Sequence, residues 1–117
     1  MEVFDLLTPH PLNVGPIALV DVFDLDIESR DLFLQTWSDR AAFMREQPGF
    51  VSLLVLQAVS AAARFQVIAV TTWENLAAVQ AATVHDGFIQ TARRAVDELG
   101  VIAHPGLYRT ALRVADS

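Results

Sequence analysis

Four side chains in this sequence are of types that transfer protons, bind an oxyanion or form an aromatic wall: Asp21, Trp73, His85 and Arg93. Asp21 interrupts the apolar run IALVDVF, where a carboxylate loses its hydration unless it is paired. An acid in such a place either meets an arginine or has a raised pKa, and in a pocket the second case makes a general base. An ion pair at an interface is an equal alternative, with Arg64, Arg109 or Arg113 as its partner.

His85 and Arg93 lie on the last predicted helix. His85 falls at its second position, near the middle of an apolar stripe, so it should face inward, where an imidazole can act as general acid or base. The alternative is a hydrogen-bonded core histidine. Arg93 lies at the edge of the stripe and could hold a phenolate or enolate oxygen at the mouth of a cavity. The alternative is that Arg93 is exposed and forms an ion pair with Asp97, four residues later.

Trp73 closes a predicted strand in which alternate side chains share one face. Small side chains at Ala69 and Thr71 beside this indole predict a pocket with one aromatic wall, between the helices and the sheet. A core tryptophan at a strand end is the alternative. The residues expected to contact a substrate there are Phe23, Phe33, Trp37, Ala69 and Phe88.

Composition excludes several classes of function. The chain has 117 residues with 14 acids and 8 bases, a net charge of −6, which argues against binding nucleic acid or anionic membranes. It lacks cysteine and lysine, and its histidines, His10, His85 and His104, have no metal-ligand spacing. No dinucleotide or phosphate-loop motif occurs. Without an apolar run of membrane length or a signal sequence, we expect a cytoplasmic protein.

Proline and glycine in the stretches His10-Pro11 and Asn13–Pro16 predict an arm at residues 1–15, followed by one domain at residues 16–114. We expect strands at 16–23, 50–56, 65–73 and 107–114, a helix at 28–46, a helical piece at 74–82 and a last helix ending at Gly100. Thr83 and Asp86 fit a capping box at the start of that helix. The order β-α-β-β-α-β predicts an α+β, ferredoxin-like fold.

The strands are apolar on both faces, as in Ile17–Phe23 and Leu53–Leu56, although two helices can cover only one face of a sheet. We therefore expect a symmetric homodimer in which two sheets pack face to face. A polar arm folded over the second face is the alternative.

Two short motifs carry a family resemblance. Pro48-Gly49-Phe50 before the second strand and Val70-Thr-Thr-Trp73-Glu74 at the end of the third resemble antibiotic biosynthesis monooxygenase domains over about residues 16–114. The resemblance implies a dimeric α/β barrel with a hydrophobic cavity in each subunit. One branch of this family acts in aromatic polyketide pathways. Resemblance to that branch implies oxidation of anthrone-type or dihydroquinone substrates by O₂ without metal or flavin.

In that branch of the family, Trp73 and Arg93 match functional residues. Ala69 and Val79 stand where the branch has asparagine and tyrosine, so the resemblance implies a different proton relay, through His85 or Asp21, or none. Two other hypotheses keep the cavity: a polyketide cyclase or isomerase that does not use O₂, and a noncatalytic ligand-binding protein.

Overall fold

A four-stranded antiparallel sheet organises the chain in the computed structural model, which describes residues 15–115. The strands are β1 (Ile17–Asp24), β2 (Phe50–Gln57), β3 (Val67–Trp73) and β4 (Ile102–Tyr108), in the order β2-β3-β1-β4. The helices are α1 (Arg30–Arg45), which follows a short 3-10 turn at Ile27–Ser29, α2 (Leu76–Thr83) and α3 (Asp86–Leu99). This α+β, ferredoxin-like fold is the predicted one.

One face of the sheet packs against the helices, and the strand alternation decides which side chains it presents. On β3, Val67, Ala69, Thr71 and Trp73 are buried while the residues between them are partly exposed. The register places Asp21 of β1 opposite Ala69. Asp21 therefore belongs to the face that meets the helices, which strand parity alone could not decide.

The predicted capping box at Thr83 is wrong. Thr83 is the last residue of α2, and its hydroxyl donates to the Val79 carbonyl at 2.9 Å instead of accepting from the next helix. The residue that caps α3 is His85, whose Nδ1 accepts a hydrogen bond from the Gly87 N–H at 3.0 Å. Gly100 ends α3 in the left-handed conformation, at φ 66°, as predicted.

The last strand also differs from its prediction. It runs from Ile102 to Tyr108 and includes Pro105 and Gly106, whereas the predicted strand begins at residue 107 and ends at residue 114. The strand order places β4 at an edge of the sheet, where a proline can be accommodated because one side of the strand needs no ladder partner. Residues 109–115 follow as exposed, irregular chain.

Within residues 15–115, no helix packs against the second face of the sheet, which is apolar in its middle. Val20 and Val22 of β1 lie opposite Val70 and Ile68 of β3, which in turn lie opposite Leu54 and Leu56 of β2. Leu54 is 57% exposed, and Tyr108 at the β4 edge is 59% exposed. The structure contains one copy of the chain, so the homodimer stays a prediction.

Of the predicted arm, only Gly15 belongs to the described residues. The division of the chain at residues 15 and 16 therefore stays a prediction. Between residues 15 and 115, no helix is both long and apolar enough to cross a bilayer.

Candidate active site

A cavity of about 690 Å³ lies between the helices and the β1–β4 side of the sheet. Aliphatic and aromatic side chains form most of its wall, including Leu19, Phe23, Phe33, Phe88 and Val96. Its polar lining residues are Asp21, Arg40, Gln80 and Thr83. This combination of an apolar wall with a few converging polar groups is typical of a site for a small organic ligand.

Asp21 reaches the cavity from the centre of β1. Burial raises the pKa of its carboxyl, and the positive charges of Arg40 and His104 lower it only in part. Its Oδ1 is buried and has no hydrogen-bond partner. The carboxylate thus combines a raised pKa with an open acceptor position, which is what a general base needs.

Arg40 reaches the same cavity from α1 and is only 3% exposed. Its guanidinium lies 4.1 Å from the centre of the Trp37 ring and 5.5 Å from that of Phe88. Burial lowers its pKa to about 10, against the opposing effect of Asp21, so the side chain carries its charge at neutral pH. Its Nε is buried without a partner.

Asp21 and Arg40 influence each other's charge without forming a direct ion pair. The ion pairs found within residues 15–115 join Arg30 to Asp31 and Arg64 to Asp24, the second at 3.8 Å. Within residues 15–115, Asp21 forms no ion pair with Arg64, Arg109 or Arg113, and a pairing across an interface stays a prediction. An acid and a cation that face one cavity unpaired can hold opposite sides of a ligand: one accepts a proton, and the other stabilises the charge left behind.

The family of the chain is shown by a comparison of its sequence with known protein families. Residues 16–99 match the family model described as antibiotic biosynthesis monooxygenase. The chain belongs to this family. The comparison with curated proteins found no match.

Solved structures share the fold of this antibiotic biosynthesis monooxygenase domain. A candidate monooxygenase from Shewanella loihica has 28% identity and a TM-score of 0.67, with 86% of this chain and 97% of that chain covered. SnoaB, a cofactor-independent oxygenase from Streptomyces nogalater, has 21% identity and a TM-score of 0.75, with 88% and 100% covered. A candidate antibiotic biosynthesis monooxygenase from Deinococcus radiodurans has 17% identity and a TM-score of 0.72, with 86% and 98% covered.

Three of the predicted substrate contacts of this monooxygenase-family chain, Phe23, Phe33 and Phe88, line the cavity. Trp37 and Ala69 do not line it. They border a niche of about 10 Å³ that shares Asp21, Arg40 and Phe88 with the cavity wall.

Trp73 is a core residue rather than a wall of the cavity. It is 1% exposed, its ring meets Phe50 edge-on at 5.5 Å, and it is absent from the cavity lining. Its Nε1 donates a hydrogen bond to the Thr71 hydroxyl at 2.8 Å. Thr71, whose small side chain was expected to leave room for a pocket, instead accepts the hydrogen bond of the buried indole. The predicted aromatic wall is formed by phenylalanines.

His85 and Arg93 both lie away from the cavity. His85 is exposed, with its ring centre 4.8 Å from that of Phe43, and its prediction as an inward-facing residue is wrong. The helix begins after it, so its backbone, at φ −69° and ψ 140°, does not follow the helical wheel used to orient it. Arg93 is exposed on α3 and forms no ion pair with Asp97 or any other acid of residues 15–115.

Arg40 is the charged cavity residue that the sequence analysis missed. Phe33, Trp37, Arg40 and Met44 are the buried residues of α1, and their spacing continues one helical stripe. An arginine inside an apolar stripe is the same signal that singled out Asp21 within its strand. Applied to α1, that signal would have found the second charge.

Proposed function

We propose that this protein is a cofactor-independent monooxygenase that uses O₂ to oxidise a polycyclic aromatic polyketide intermediate of the anthrone or dihydroquinone type. Its membership of the antibiotic biosynthesis monooxygenase family supports an oxygenase-type activity. The carrying observation is the unpaired Asp21 and Arg40 in one apolar cavity. The cavity volume, about 690 Å³, suits a fused-ring ligand.

In the proposed reaction, the substrate lies in the cavity with an oxygen toward Arg40. The Asp21 carboxylate removes a proton from the ring carbon that is to be oxidised, and the charge delocalises onto that oxygen. Hydrogen bonds from the guanidinium stabilise the enolate or phenolate. The raised pKa of Asp21 makes its carboxylate a stronger base than an exposed aspartate.

O₂ then acts as the oxidant. The carbanion passes one electron to O₂, and the resulting superoxide and substrate radical combine to form a carbon–oxygen bond. Protonation of this peroxide, by the proton that Asp21 carries, gives a hydroperoxide that loses water and leaves a carbonyl. For an anthrone, one O₂ is consumed, one oxygen atom enters the quinone, and the other leaves as water together with the two hydrogens of the oxidised carbon.

The proposed working unit is a homodimer formed through the open face of the sheet. Leu54, Leu56, Ile102 and Tyr108 are each at least 44% exposed on that face. A contiguous apolar surface of this kind favours contact with a second protein surface. The open face of a second copy is equally apolar, so the two faces can pack against each other. Both cavities would then lie on the outer, helical sides of the dimer.

The test is oxygen uptake by the purified protein mixed with anthrone under air. We expect one O₂ to be consumed per anthraquinone formed, with Asp21→Asn reducing the rate at least about 100-fold because the base is lost. Asp24→Asn is the matched control, since Asp24 lies on the same strand but contacts Arg64. Its rate should equal that of the wild type.

Two other outcomes would replace the proposal. A product of unchanged or dehydrated mass, formed without oxygen uptake, would identify a cyclase or isomerase. Binding of anthrone without any conversion would identify a ligand-binding protein.

A further inference from the structure

A second, much smaller space lies beside the cavity, against side chains that also line the cavity. This niche has a volume of about 10 Å³, which is room for one water-sized atom. Leu19, Asp21, Arg40 and Phe88 line both spaces, so the niche adjoins the cavity. Trp37, Met44, Ala69 and Thr71 complete its wall.

Two hydrogen-bond donors of the niche residues have no acceptor. The Nε1 of Trp37 and the Nε of Arg40 are both buried and unpartnered, and their residues are 5% and 3% exposed. The nearby Thr71 hydroxyl already accepts from Trp73. A buried N–H without an acceptor is unfavourable, so these two donors favour a ligand that brings an oxygen to them.

We infer that the niche receives one acceptor oxygen of the substrate, a ring carbonyl or its deprotonated form, and that Trp37 is the residue that selects for it together with Arg40. The inference rests on the proposed function in taking the same cavity as the substrate site. It specifies the ligand further: a planar, apolar ring system with a single oxygen at the edge that enters first. Rings without that oxygen leave both donors unpaired and bind more weakly.

Trp37 is suited to this role by its fixed position. Its ring contacts Phe23 at 5.8 Å and Phe33 at 6.1 Å, both edge-on, while Arg40 stacks on its face. Contacts on several sides hold the indole in one orientation. Its N–H therefore discriminates between ligands without needing to reorganise.

The experiment compares 9-fluorenone with fluorene, two ligands of nearly the same shape that differ by one carbonyl oxygen. Binding is measured by calorimetry under nitrogen, which excludes turnover. We expect the wild type to bind fluorenone at least about tenfold more tightly than fluorene. Trp37→Phe, which keeps an aromatic ring and removes the N–H, should abolish most of that preference while leaving fluorene affinity within about twofold.

An infrared measurement separates hydrogen bonding from packing. The carbonyl stretch of bound fluorenone should move to lower frequency in the wild type and back toward its value in an apolar solvent in Trp37→Phe. Arg40→Met is a second variant, which removes the other donor on a side chain of similar length. Phe33→Leu is the control: it alters an apolar wall, so it should weaken both ligands equally and leave the stretch unchanged.

Equal affinity of the wild type for the two ligands, or a preference and a carbonyl shift that survive in both Trp37→Phe and Arg40→Met, would overturn the inference. In the first case, the niche holds a resident water and not a ligand oxygen. Oxygen uptake with anthrone, without a preference for fluorenone over fluorene, would contradict this inference and leave the proposed function standing. A preference for fluorenone without oxygen uptake would contradict the proposed function and leave this inference standing.

Discussion

Asp21 and Arg40 are the two residues whose charges define the site. Each is buried enough to lose much of its hydration, which raises the pKa of the acid and lowers that of the arginine. Each also partly offsets the shift of the other, because opposite charges favour the ionised form of both. The reactivity of the base is therefore coupled to the presence of the cation.

This coupling predicts a shift in the pH dependence of catalysis. In the wild type, kcat/KM should rise with pH as Asp21 loses its proton, at a pKa above the ordinary 3.8. Arg40→Met removes the charge that lowers this pKa, so the acidic limb of the profile should move to higher pH. The measurement is kcat/KM for anthrone oxidation across the acidic range.

Arg93→Met provides the matched control for this prediction. Arg93 is an exposed arginine on α3, and its loss should leave the acidic limb in place. An unchanged limb in Arg40→Met, or a limb that moves in Arg93→Met, would contradict the assignment and return the oxyanion role to α3.

Among the elements, the junction between α2 and α3 decides the orientation of the cavity's helical wall. Val84 and His85 separate the two helices, and His85 caps the second through its own side chain. Phe88, Ala92, Ala95 and Val96 of α3 then line the cavity. His85 thus contributes to the start of this wall from a position outside the cavity lining.

His85→Ala should therefore affect stability and not turnover. Loss of the cap at Gly87 should lower the free energy of unfolding by about 1 kcal/mol, because the first amides of α3 lose their acceptor. His85→Asn, which retains a side-chain acceptor, should recover most of it. Urea denaturation measures the first effect, and the rate of anthrone oxidation should stay within about twofold in both variants.

A greater than tenfold loss of turnover in His85→Ala at unchanged stability would contradict this interpretation. It would support the alternative from the sequence, in which the imidazole transfers a proton.

At the scale of the whole molecule, the sheet has two different surfaces. One carries the cavity and the helices, while the other exposes leucine, isoleucine and tyrosine side chains to the surroundings. Burying that surface against a second copy would remove apolar area from water on both subunits. The proposed dimer accounts for an apolar pattern that the isolated chain leaves exposed.

Leu54→Asp should convert the proposed dimer to a monomer, because it places a charge among the apolar side chains of the open face. Sedimentation equilibrium of the wild type and the variant measures the change in mass. Val59→Asp is the control: Val59 is fully exposed in the loop between β2 and β3, and this variant should keep the wild-type mass. A monomeric wild type would contradict the prediction.

Local patterns were sufficient to predict most of the elements. Runs of β-branched and aromatic residues predicted β1 and β3, the apolar stripe predicted α1, and Gly100 predicted the end of α3, since each depends on residues close in the chain. The errors lie where two local signals compete. Thr83 suits both a cap and a helix end, and Pro105-Gly106 suits both a turn and an edge strand.

The sequence by itself determined that a carboxylate would interrupt an apolar strand of an α+β domain and that both faces of the sheet would be apolar. Only the tertiary structure decided which face Asp21 occupies, because parity relates side chains within a strand and not to the helices. The packing of α1 on the sheet brings Arg40, nineteen positions along the chain, to the same cavity as Asp21. The packing of α2 on the sheet encloses Trp73 in the core, and His85 and Arg93 stay on the surface.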